Sequence, residues 1–213
     1  MAMSSGGARR RTGMGILRAD LSVSLDGYSA GRDQSREHPF GTGTGERLDR
    51  WMAGWMFDHG DDHRAEVDAV IGAGAYIMGR NMFTPGRGEW DLDWAGWWGE
   101  DPPYHGPVFV LTHHPRDPVP MEGGTTFHFV TEGIENALEQ AQAAAGDRDV
   151  SVAGGATTLN EYLAAGHVDE LRLHVGPFTL GQGTRVFDGV PPQEFRTTSV
   201  RYTPEVTHVT LHR

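Results

Sequence analysis

Cysteine is absent from the 213 residues. That excludes disulfide bonds, thiolate nucleophiles and every cysteine metal site. Lysine is absent as well, so all 18 basic side chains of the Lys and Arg class are arginine. A Walker phosphate loop needs its lysine and a Schiff-base mechanism needs an amine, so both fall away. No apolar run is long enough to cross a bilayer. Positive charge is in short supply, with a formal net charge of −11. A general nucleic-acid binder rests on clustered positive charge, and that class is excluded. After the early arginines, ILRADLSV is too short and too polar for the apolar region of a signal peptide, and a cytoplasmic protein is expected.

What is present centres on Ser151 to Gly176. A short apolar run, Val150 to Ala153, leads into Gly154 and Gly155 and then the hydroxyl pair Thr157 and Thr158. Leu159, Tyr162 and Leu163 follow at helical spacing, the chain turns at Gly166, and a strand is expected over 168–175. A glycine pair lets a ligand approach the backbone, and the first helical turn offers free N–H groups. Such a place suits an anion, most often a phosphate; an ordinary strand-to-helix connection is the bland alternative.

The rest of the chain supplies the framework. Residues 1–13 lack hydrophobic periodicity and read as a disordered tail, with Met14 as a second candidate start, and 14–213 as one domain. A half-buried strand is expected over 16–23, with a turn at Asp26-Gly27. Residues 31–45 read as a glycine-rich loop or lid. Leu48, Trp51, Met52, Trp55 and Met56 mark a helix over 46–57. A second helix is expected over 62–72, capped by Asp61 or Asp62. Strands are expected over 75–78, 107–111 and 125–130, and an alanine-rich helix over 134–145. Two terminal strands are placed to form a hairpin. Strands alternating with helices indicate an α/β fold with a mostly parallel sheet and an antiparallel C-terminal hairpin.

In such sheets ligands sit at the carboxyl ends of the strands. Three strand ends carry suitable groups: Gly79 with Arg80, Thr112 with His113 and His114, and Gly154 with Gly155. Arg80 reads as a phosphate clamp. His113 and His114 are either phosphate contacts or solvated turn residues. Trp51 and Trp55, one helical turn apart, form either a stacking wall for a flat substrate or plain core. Asp26 reads as a turn-former before an acid catalyst. In the run from Asp58 to His63, His59 and His63 stand four apart, but Gly60 weakens a helix carrying both and no distant ligands are evident. No metal site is therefore expected.

SVSLDGYSAG, YIMGRNMF, FVLTHHP, VAGGATTLNEYLAAGHVDEL and VGPFTLGQGTRVFD together resemble the dihydrofolate reductase-like superfamily, over residues 14–213. More specifically, they are similar to the reductase domain of bacterial riboflavin biosynthesis and its stand-alone relatives. The resemblance implies a three-layer α/β fold that binds NADPH. It implies Gly79 and Arg80 at a helix start facing the phosphates, and Thr112, His113 and His114 near the 2′-phosphate. Gly154, Gly155, Ala156, Thr157 and Thr158 would hold the pyrophosphate. It also implies a homodimer and a small-molecule substrate, with Asp26, Tyr28, Asp49, Trp51 and Trp55 as candidate substrate contacts. Two departures stand out. Riboflavin-pathway reductases carry an acid just before the glycine turn, where this chain has Ala153. Dihydrofolate reductases carry an acid in the first helix; Asp49 is near that place, but its surroundings do not match.

The expected function is thus NADPH-dependent reduction of a small heteroaromatic or imine-like ring. A non-catalytic dinucleotide-binding or regulatory module is the alternative, and a metal-dependent hydrolase built on Asp58 to His63 a third reading. The tryptophan-rich connection over 88–106 is expected either to close over the site or to meet a second subunit.

Overall fold

The computed structural model describes Gly13, residues 15–43 and residues 45–213. The tail expected over residues 1–13 lies outside the described residues except for Gly13.

Alternation of Leu17, Ala19, Leu21 and Val23 makes β1 (Leu17–Ser24) a strand with one apolar face. The chain turns at Gly27, whose φ of +83° favours glycine, and continues as β2 (Tyr28–Ala30). The stretch expected as one helix over 46–57 is two pieces. Helix α1 (Gly45–Ala53) passes at Gly54, a poor helix former, into a π-helical turn (Gly54–Asp58). The His59 N–H reaches back to the Gly54 carbonyl at 2.9 Å. Helix α2 (Arg64–Ile71) is shorter than expected, and its N-cap is His63, with neither Asp61 nor Asp62 in that place. Asp61 pairs with Arg64 instead, at 2.8 Å.

Next come β3 (Ala75–Gly79), α3 (Arg80–Phe83), β4 (Pro107–Leu111), β5 (Val119–Pro120) and β6 (Thr126–Val130). Then α4 (Ile134–Ala145), β7 (Val150–Gly154), α5 (Ala156–Ala165) and β8 (Glu170–Gly176) follow. The chain ends with β9 (Thr184–Arg185), β10 (Arg196–Tyr202) and β11 (Thr207–His212). Nine strands form one sheet in the order β10-β11-β8-β1-β7-β3-β4-β6-β5. The run from β8 through β6 is parallel, while β11, β10 and β5 are antiparallel, as the expected fold class requires. A pairing with no period to announce it joins β2 to β9 as a separate ribbon.

Helices α4 and α5 cover one face of the sheet over a core that includes Leu21, Ile77, Val152, Leu159 and Leu171. The other face is divided. Over β3, β4 and β6 it is apolar, covered by Phe83 of α3 and the connection that follows it. Over β1, β8 and β11 it carries Asp20, His174 and His208, beneath α1, the π-helical turn and α2. The result is three layers. Trp90, Trp94 and Trp98 fold back onto Phe83, Phe127 and Phe129, and Trp97 meets Trp94 edge-on at 4.7 Å between centroids. The tryptophan-rich connection thus covers its own sheet.

Candidate functional site

The three expected strand ends belong to β7, β3 and β4, which are consecutive neighbours in the sheet. Their loops therefore lie side by side along one carboxyl edge. Gly79 stands at the N-cap of α3, and a Cβ added to it would meet Thr158 Oγ1 at 2.3 Å. Glycine at 79 lets the end of β3 close onto Thr158 in the first turn of α5 with that side chain in place. Gly154 takes a φ of +126°, open to glycine alone, and Gly155 caps α5 in an extended conformation. An added Cβ at Gly155 would meet nothing within 4 Å. Above it the N–H groups of Ala156, Thr157 and Thr158, in the first turn of α5, have no carbonyl of their own helix to bond. Ala156 and Thr158 are buried, while Thr157 is exposed.

Arg80 is held less freely than a clamp reading implies. Its guanidinium lies 3.9 Å from the centre of the Trp90 ring and donates to the Gly88 carbonyl at 2.6 Å. Burial, with the nearby Arg87 charge, lowers its pKa, and its Nε is buried without a hydrogen-bond partner. Just after β4 the Thr112 hydroxyl accepts the His114 N–H at 3.1 Å, while the His113 side chain is exposed. Trp90 ties the two strand ends together, donating from its indole to the His114 carbonyl at 3.0 Å. A second arginine, not expected from the sequence, joins them. Arg116 stacks over Phe83, Trp90 and Phe129, and its NH1 is buried and unpartnered. The sequence signal that would have found it is its place directly after the Thr112 to Pro115 turn. Arg80 and Arg116 thus each hold one buried donor without a partner, both against the Trp90 ring.

The sequence model of the RibD C-terminal domain matches residues 16–209. The chain belongs to that family. No curated protein matches it in sequence. Solved structures share its fold at low identity. A riboflavin biosynthesis protein from Shewanella sp. PV-4 is 20% identical, with a TM-score of 0.60, covering 93% of this chain and 98% of that one. Enterococcus faecalis dihydrofolate reductase, in complex with NADP(H) and RAB-propyl, is 15% identical with a TM-score of 0.55, covering 94% and 97%. The diaminohydroxyphosphoribosylaminopyrimidine deaminase/5-amino-6-(5-phosphoribosylamino)uracil reductase of Thermotoga maritima is 15% identical with a TM-score of 0.57, and the match spans 56% of that longer chain. Among the described residues no helix is long and apolar enough to cross a membrane.

The residues expected on the substrate side are scattered. Asp26 accepts hydrogen bonds from the Ser24 hydroxyl at 2.6 Å and from the Leu180 and Gly181 amides at 3.0 and 2.8 Å. Burial works to raise its pKa, but those donors outweigh it and hold the carboxyl below its ordinary value. It is a structural acceptor that ties the β1–β2 turn to the loop before β9. Tyr28 is half-buried under the Arg185 guanidinium. Asp49 is exposed on α1. Trp51 lies half-buried on Phe178, with its indole donating to the Glu205 carbonyl at 2.8 Å. Trp55 is fully buried among His63, His174 and His208. The two rings lie 6.3 Å apart, but Trp55 is fully buried, so it belongs to the core, the other of the two readings. A further contact comes from Asn160, which donates to the Arg185 carbonyl and accepts the Phe187 N–H, pinning the loop after β9 against α5. A cavity of about 430 Å³ runs between that loop and α5, from Thr157 to Asp188.

Proposed function

We propose that the protein is an NADPH-dependent reductase of a small cyclic substrate, heteroaromatic or imine-like. The observation that carries this reading is the meeting of Gly79-Arg80, Thr112 and Gly154-Gly155 at the carboxyl ends of three adjacent parallel strands. The residues fit a dinucleotide: room above Gly155, unpaired amides on α5, and unused donors on Arg80 and Arg116. Gly154, Gly155 and the first turn of α5 would hold the pyrophosphate, and Arg80 with the Thr112–His114 turn the 2′-phosphate. The cofactor supplies the hydride; the chain supplies orientation and a dry pocket. Membership of a riboflavin-pathway reductase family supports the activity class. Ala153, in place of the acid expected before the glycine turn, points away from the pathway's own pyrimidine substrate.

Calorimetry with NADPH and NADH tests the cofactor assignment. NADPH should bind more tightly, and added salt should narrow the gap; equal affinities would remove Arg80 and Thr112–His114 from the site. Oxidation of NADPH against pterins, pyrimidines and cyclic imines tests the chemistry. Tight binding with no turnover on the panel would favour the non-catalytic module.

A further inference from the structure

The face of the sheet beneath α2 and the π-helical turn buries charge where a core is expected. His63, His174 and His208 are 1%, 2% and 5% exposed, and Asp20 is 6% exposed. Groups like these are buried only when partnered, so their protons can be followed from one to the next. His63 Nδ1 lies 2.9 Å from the Arg201 guanidinium and 2.9 Å from His208 Nε2. His208 Nδ1 is 2.7 Å from His174 Nδ1. His174 Nε2 has no hydrogen-bond partner and stands 3.8 Å from Asp20 Oδ1.

The two ends of this chain conflict in the middle. A guanidinium only donates, so His63 Nδ1 must be a lone pair. At the other end Asp20 lies 3.8 Å from His174 Nε2, beyond hydrogen-bond length, and the tautomer whose proton faces that carboxylate leaves His174 Nδ1 as an acceptor. His208 must then donate from Nδ1, and its Nε2 becomes a lone pair as well. Two lone pairs face each other 2.9 Å apart. Reversing the tautomers repairs that contact, yet it aims a lone pair of His174 at Asp20. A cation held by the His63 and His208 lone pairs removes that repulsion, provided Arg201 gives up its contact with His63 Nδ1. A proton is a poor candidate, because it would sit inside a buried cluster against the Arg201 charge.

Glu66 stands beside the pair, in the first turn of α2. Ligand atoms of His63, Glu66 and His208 all lie within 4.8 Å of one another. We infer that these three residues form a binding site for a divalent transition cation of the zinc class, with His174 and Asp20 orienting His208 from behind. Two imidazoles and a carboxylate are a donor set that zinc takes, leaving a fourth position for a small ligand. Tetrahedral bonds of about 2.0–2.1 Å place ligand nitrogens about 3.3 Å apart, so the histidine pair needs to open by only a few tenths of an ångström. Arg201 covers the site, paired to both oxygens of Glu66 at 2.6 Å. Its side chain is 40% exposed and free to withdraw from His63. A cavity of about 160 Å³, lined by Glu66, Arg172, His174, Arg201 and His208, gives a way in. His59, the other histidine of the Asp58–His63 run, lies outside the cluster and pairs with Glu205 at 3.0 Å. The distant ligands judged missing from the sequence come from α2 and the last strand.

The test is calorimetric titration of chelator-stripped, untagged full-length protein with Zn²⁺ alone. One equivalent should bind. His208→Ala and Glu66→Gln should each weaken binding by about tenfold or more, a loss of the size seen when support of a metal site is removed. Arg201→Ala should tighten it, since a competing cation is removed, whereas an ion pair serving only structure predicts no gain. Circular dichroism checks each fold; should His208→Ala not fold, Glu66→Gln and Arg201→Ala decide alone. No stoichiometric site in both wild type and Arg201→Ala, or a site that Glu66→Gln leaves unchanged, would overturn the inference.

Discussion

Replacing Gly155 by aspartate isolates the anion site from the fold. Gly155 has φ −81° and ψ −172°, a conformation open to any residue, and its added Cβ meets nothing within 4 Å. Aspartate is also a favoured helix N-cap, a few tenths of a kcal/mol better than glycine. Folding should therefore survive. The new carboxylate would stand where a phosphate is expected to approach the first turn of α5. Two unit charges about 4 Å apart repel by about 4 kcal/mol at an effective dielectric near 20. That corresponds to about a thousandfold in Kd at low salt, and less at physiological salt, where the Debye length is about 8 Å. The comparison that isolates charge is Gly155→Asn, which has nearly the same shape and makes the same demand on the backbone. NADPH titrations of both variants at two salt concentrations, beside their melting curves, supply the data. The aspartate variant should bind at least a hundredfold more weakly than the asparagine variant, with the gap shrinking as salt rises. Equal binding by the two, tight or weak, would refute the placement of the pyrophosphate at Gly155.

Gly79→Ala drives a methyl group to within 2.3 Å of Thr158 Oγ1, so denaturant unfolding should show a loss of about 1–3 kcal/mol, partly recovered by adding Thr158→Ala. Asp26→Asn keeps one acceptor oxygen but turns an NH2 toward one of the two amides that the carboxylate now satisfies, and should cost about 1–3 kcal/mol by the same measurement. Because the folded pKa of Asp26 lies below its ordinary value of 3.8, its contribution is complete above that pH and fades as the pH falls through the folded value. The acid limb of the wild-type stability curve should therefore be steeper than that of the asparagine variant. A homodimer is expected in solution, with Val200 and Tyr202, 57% and 79% exposed on edge strand β10, as apolar surface available to it; light scattering coupled to size exclusion would count against it by returning a monomer mass.

Legibility in the sequence followed period and proximity. The strand at Pro107–Leu111 and the helix at Ile134–Ala145 lie where their patterns place them, because each is a full-length element with an unbroken apolar period. The glycine pair and its helix could be read because all their chemistry is local. Short elements could not be read in this way: β2 and β9 span 3 and 2 residues, too few to show alternation. The π-helical turn escaped because the i, i+3, i+4 stripe through Trp55 looks the same whether or not the pitch changes at Gly54. The cluster of His63, Glu66, His174 and His208 was out of reach as a cluster, since it needs both the pairing of β8 with β11 and the packing of α2 over those strands. One trace of it lay in plain view. Glu170, Arg172 and His174 alternate with apolar residues on β8, and His208, Thr210 and His212 do so on β11. Such alternation usually marks a solvated face, and here a helical layer covers it.

That covered polar face is the part of the molecule that stability alone explains least. Buried ionic clusters are often matched or bettered by apolar residues of similar volume. The neighbouring half of the same face, over β3, β4 and β6, shows the apolar solution in place, with Tyr76, Met78, Val108, Val110 and Phe127 packed beneath Phe83 and the tryptophans. The two solutions meet across the sheet at β1 and β7, where Ser151 of β7 still reaches Asp20 at 3.5 Å. Covering by helices therefore does not dictate the charge. The polar half also contains Trp55 with an indole N–H buried and unpartnered, a second unmet group within contact of the same histidines. Unmet buried donors occur on the apolar half too, at Arg80 Nε and Arg116 NH1, but there they are guanidinium nitrogens over aromatic rings. On the polar half they surround three imidazoles that can ligate, which is why a bound cation is the feature to test there.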